Sequence, residues 1–136
     1  MRANVGNLAE FDESVMTDGR YQVEVTKVEH TVSDKKGTEG TTLFLRVLDG
    51  PEMDSGESSQ GESLITTLWW PNNNMKDNGK YSRRLLRKAC ESAGVAMDEL
   101  GFEEEDFLGT VFDVKVTMRD YDGEPRPEVK TYYPAA

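Results

Sequence analysis

Apolar and polar residues alternate at the start of the patterned part of the chain. Tyr21, Val23 and Val25 fall on one side and Gln22, Glu24 and Thr26 on the other. A period of two predicts a half-buried strand, and Asp18-Gly19 supplies the turn in front of it. At Val28 the apolar parity flips, the mark of an inserted residue or a sharp bend. A polar loop covers 33–40, and a second strand runs over 41–48. Its two sides are Leu43, Leu45, Val47 and Thr42, Phe44, Arg46, Leu48. Asp49-Gly50-Pro51 ends that strand, and a Gly/Ser/Glu-rich connection leads to a third over 62–70, stopped by Pro71 and three asparagines.

From Lys80 the spacing becomes helical. Tyr81, Leu85, Leu86, Ala89, Cys90 and Ala93 form one stripe, while Arg83, Arg84, Arg87, Lys88 and Glu91 occupy the other side. Gly94 is placed to end the helix. A short acidic turn or helix is expected over 102–108. Strand alternation returns over 110–119, where Phe112, Val114, Val116 and Met118 share a side. Asp122-Gly123 makes a hairpin turn into a fifth strand over 128–133.

The resulting order, β-β-β-α-β-β, predicts a mainly β protein. The expected fold is a five-stranded OB-fold-like barrel with one helix between strands 3 and 4. An open five-stranded sheet with one covering helix is the alternative, and one helix is too few for a parallel α/β fold. Residues 1–17 read as a flexible N-terminal leader, and 18–136 as a single domain.

Charge adds a second pattern. The net charge is −10, which weighs against nucleic acid unless positive charge is concentrated locally. Residues 76–88 hold six basic side chains and one acid, whereas 97–109 hold six acids and no base. The basic run reads as a solvated helix face, or as compensation for the dipole in the last turns. Arg83 and Arg87 can instead pair with the acidic run of a neighbouring copy, making a homo-oligomer. A single cysteine excludes an internal disulfide, and the acidic start lacks a signal-peptide core. No run approaches the roughly 20 apolar residues that span a bilayer. A cytoplasmic protein without membrane contact is expected.

Candidate catalytic chemistry is sparse. His30 has neither a second histidine nor a nearby cysteine, and Cys90 lies on the apolar helix stripe. Neighbouring carboxylates at 103–106 diverge, which suits charge at a helix start better than a hard cation. No phosphate loop, nucleophile elbow or zinc spacing is present. The expectation is a non-enzymatic protein without metal or cofactor.

Three features point to binding. Phe44 and Arg46 lie on the polar side of strand two, where an aromatic ring can stack on a base and a guanidinium can meet phosphate. Trp69 and Trp70 are neighbours, so in a regular strand one faces the core and the other faces out beside Phe44. Two core tryptophans at a strand end are the alternative. The two loops flanking an OB groove also carry Lys35, Lys36, Arg119, Tyr121 and Arg126, and Lys130 follows on strand five.

These segments are DGRYQVEVTKVE, TLFLRVLDG, YSRRLLRKACESAGV and FLGTVFDVKVTMRDYDGEPRPEVKTYYPA. Together they resemble a family of phage-encoded single-stranded DNA-binding proteins with an OB-like fold. The resemblance implies sequence-independent coating of single strands in phage replication or recombination, in the host cytoplasm, alongside replication or recombination proteins. Many single-strand binders end in an acidic tail, whereas this chain ends KTYYPAA. The competing reading is an acidic protein-interaction or DNA-mimic accessory module.

Overall fold

The computed structural model describes residues 14–136, and the protein is mainly β with one substantial helix. Its long strands are β1 (Gly19–Val32), β2 (Glu39–Asp49), β3 (Ser63–Trp69), β6 (Val111–Tyr121) and β7 (Glu124–Pro134). Between β3 and β6 come helix α1 (Lys80–Ala93), a miniature hairpin of β4 (Met97–Asp98) and β5 (Gly101–Phe102), and a 3-10 turn (Glu104–Phe107). The long strands form one antiparallel sheet in the order β3-β2-β1-β6-β7.

The expected closed barrel does not form. β3 and β7 are the sheet edges, and no backbone ladder joins them. Side chains bridge them instead: the hydroxyls of Thr66 and Tyr132 lie 3.2 Å apart. Burial pushes the Tyr132 phenol up to about 12, against the opposing effect of the Thr66 hydrogen bond. Helix α1 packs on β3, β6 and β7.

Alternation decides which residues fill the core. Tyr21, Val23, Val25, Leu43, Leu45, Val47, Phe112, Val114 and Val116 are all buried. The parity flip at Val28 has a direct cause. Val25 is opposite Leu45 and Lys27 is opposite Phe44, so Thr26 is an extra residue in β1. Beyond this bulge Val28 meets Leu43 and packs against the core, while His30 and Val32 further along the strand are exposed. A second bulge lies on the partner strand, because Gln22 is opposite Asp49 while Val23 is opposite Val47.

The helix docks through Leu86, Ala89 and Cys90, all buried, with Leu85 and Ala93 partly so. Tyr81, at the start of the same stripe, is 59% exposed. The basic residues do not compensate the dipole as expected, since the last turn contains no basic residue. At the other end Asp77 accepts hydrogen bonds from the backbone N–H groups of Tyr81 (2.8 Å) and Gly79 (3.1 Å). The Tyr81 bond is the main cause that holds its carboxyl below the usual range. Gly79 has φ 78° and lies against Pro71 and Asn72, so the chain turns into the helix where a side chain does not fit.

Of the expected leader, 1–13 lies outside the described residues. Ser14–Thr17 pack on the connection after β2. Val15 N donates to Asp54 (2.9 Å), Thr17 Oγ1 donates to the Glu52 carbonyl (2.9 Å), and Met16 is buried.

Candidate nucleic-acid interface

The two tryptophans go separate ways. Trp69 is opposite Gly40, on the outer face of β3 that also carries Ile65 opposite Phe44. With no Cβ on Gly40, the indole can lie against the strand; a Cβ there would stand 2.8 Å from a Trp69 ring carbon. Trp70 turns to the other side. Its Nε1 donates to Thr41 Oγ1 (3.1 Å), and its ring meets His30 and Phe102 at centroid separations of 4.9 and 6.2 Å. These contacts remove Trp70 from the candidate surface and make it part of the support.

Thr41 in turn donates to Glu104 Oε2 (2.6 Å), and His30 sits between Glu104 and Glu39 with each nitrogen 3.1 Å from a carboxylate oxygen. Among the described residues no cluster of three or more His, Cys, Asp or Glu is arranged to hold a metal ion. Cys90 is buried, and loss of solvation raises its thiol to about 11, which keeps it protonated and unreactive at neutral pH.

A groove of about 470 Å³ runs along the open seam between β3 and β7. Ile65, Thr67 and Trp69 form one wall, and Tyr121, Arg126, Glu128 and Lys130 form the other. Tyr81 and Leu85 close one side, while Thr66 and Tyr132 lie at the bridge between the strands. Four large side chains left exposed by the fold line this groove: Ile65 (61%), Tyr81 (59%), Tyr121 (48%) and Trp69 (37%). Exposed apolar groups are usually scattered, so their convergence makes this groove the candidate contact surface. Arg126 lies over the Tyr121 ring at 6.0 Å.

Other expected residues fall around this groove, not in it. Phe44 is half-buried on the outer face, with Lys27 Nζ 5.1 Å from its ring centroid. Arg46 is exposed next to it and paired with Glu24 at 3.0 Å. Phe44, Ile65 and Trp69 thus form a surface that continues across β2 and β3 to the seam. Arg119 is opposite Arg126 in the hairpin. Lys35 and Lys36 are exposed on the β1–β2 connection and line no part of the groove.

Arg119, Arg126 and Lys130 are all paired. Arg119 and Lys130 both reach Glu128, at 3.0 and 3.2 Å, and Arg126 reaches Glu124 at 3.4 Å. Burial works against ionisation of Glu128, but Arg119 and Lys130 outweigh it and hold its carboxyl below the usual range. A phosphate entering here competes with carboxylates already in place.

Of the four large exposed side chains in the groove, Tyr81 and Ile65 are those that sequence reasoning did not name for binding. Tyr81 satisfies the helical stripe perfectly well, and only the position of the seam reveals that it stands clear of the core.

The family described as "Protein of unknown function (DUF669)" matches residues 3–136. The chain belongs to DUF669. No curated protein matches this DUF669 chain. No helix among its described residues is long and apolar enough to cross a membrane.

Proposed function

We propose that this DUF669 protein is a non-enzymatic binder of single-stranded DNA, without base-sequence preference, acting in phage replication or recombination. One observation carries the reading: Trp69, Tyr81 and Tyr121 converge with Arg126 and Lys130 on one open groove. Aromatic faces accept any base, and adjacent cations meet the backbone, which is the chemistry of sequence-tolerant single-strand binding. Phe44 and Arg46 extend the surface across β2, with Lys35, Lys36 and Arg119 as outlying phosphate contacts. The strand order, the helix after the third strand and the partly open side support an OB-like reading of the fold.

A second reading is supported by the carboxylates that occupy Arg46, Arg119, Arg126 and Lys130. They favour an acidic accessory module that meets a protein partner. Titration with oligo-dT and with duplex DNA, following tryptophan fluorescence over a range of salt, separates the two. The first reading expects dT to quench fluorescence at low salt, with weaker duplex binding and loss of both as salt rises. No quenching and no mobility shift at low ionic strength would leave the accessory module standing.

A further inference from the structure

The oppositely charged runs of the sequence meet in space at a second groove, remote in chemistry from the seam. It has a volume of about 470 Å³ and an apolar lining that includes Trp70, Leu86, Met97 and Phe102. Arg83 and Arg87 of α1 and Asp98 and Glu99 of the miniature hairpin share its rim. Among the described residues Arg83, Arg87 and Glu99 take part in no ion pair. Opposite charges that share a rim without pairing with each other are available to a partner.

The hairpin tip supplies the apolar half of the contact. Leu100 is 98% exposed, yet it is firmly presented, because Asp98 Oδ1 accepts from both Leu100 N (2.8 Å) and Gly101 N (3.2 Å). The patch therefore combines a protruding leucine, an apolar groove and both signs of charge. A two-fold interface requires this self-complementarity, because whatever residue i offers to residue j must be returned by the other copy.

We infer that a second copy of this chain docks here as a two-fold dimer. Leu100 of each copy enters the groove of the other, and Asp98 and Glu99 meet Arg83 and Arg87 across the axis. This surface shares no lining residue with the seam groove.

Sedimentation velocity of the full chain at low salt, over a range of concentrations, reads the monomer–dimer equilibrium. Leu100→Asp should raise the dissociation constant by about tenfold or more, and its exposure means that folding is unaffected. Arg87→Glu and Glu99→Arg, each alone, place like charges opposite one another and should also leave monomers. Mixing those two variants should restore the dimer, because a two-fold pairing then sets Glu against Arg at both contacts. A monomer at every concentration would overturn the inference. So would a dimer indifferent to Leu100→Asp, or two charge variants that remain monomeric when mixed.

Discussion

Replacing Trp69 with alanine tests the seam most directly, because this residue links the β2–β3 face to the groove. A base stacked on an aromatic side chain contributes about 1–3 kcal/mol, so the dissociation constant for oligo-dT should rise roughly 5- to 150-fold. Stability must be separated from binding. With 37% of Trp69 exposed, roughly 150 Å² of it is packed, and at about 25 cal/mol per Å² its loss costs up to about 4 kcal/mol. Anisotropy of a labelled dT oligonucleotide avoids dependence on the lost fluorophore, and circular dichroism verifies that the variant is folded. Trp69→Phe keeps a π-face and should recover most of the affinity. Gly40→Ala is the sharper control: it removes no stacking atom, but its Cβ would crowd the indole at 2.8 Å and shift it. Folded Trp69→Ala protein that binds dT within twofold of the parent would refute stacking at this groove.

Glu128→Gln should strengthen dT binding at low salt by releasing Arg119 and Lys130, measured by the same anisotropy. Because the folded pKa of Glu128 is depressed, its stabilising contribution is present above its unfolded value near 4.3 and fades as pH falls through the folded value. Thermal melts of the variant between pH 3 and 6 should therefore show a weaker acid dependence than the parent. Leu86→Ala should cost about 2–5 kcal/mol in urea denaturation, whereas half-buried Leu85→Ala should cost less; equal losses would contradict the docking of α1. Cys90 should resist iodoacetamide at pH 8 in the native protein and react after unfolding, as followed by mass spectrometry.

Where one local rule governed a segment, the chain was legible. Alternation gives the strands that begin near Tyr21, Thr41 and Thr110 and the displaced parity at Val28, where Thr26 is the inserted residue; turn signals bound the other two strands, and helical spacing gives α1. The outward side of Phe44 and Arg46 was equally readable, because period two fixes faces once the core side is known; between Trp69 and Trp70 the strand end left the choice open, and the pairing of Trp69 with Gly40 decides it. Closure was not. Whether β3 and β7 form a ladder depends on the separation of residues some sixty positions apart, and neither strand's pattern encodes it. Tyr81 was lost for the same reason: its helical position reads as core, but the core ends before it. The miniature hairpin is too short for any period to register, and Asp98 builds it through side-chain bonds to two backbone amides.

The Thr66–Tyr132 contact also sets how freely the groove can change width. A laddered seam would resist spreading with every backbone bond along it, whereas among the described residues this one is spanned by a hydroxyl pair worth about 1 kcal/mol and by α1 packed on both strands. Spreading these edges would therefore cost fewer backbone bonds than opening a laddered barrel. Thr66→Val would remove that hydroxyl pair while leaving Trp69, Tyr81, Tyr121, Arg126 and Lys130 in place.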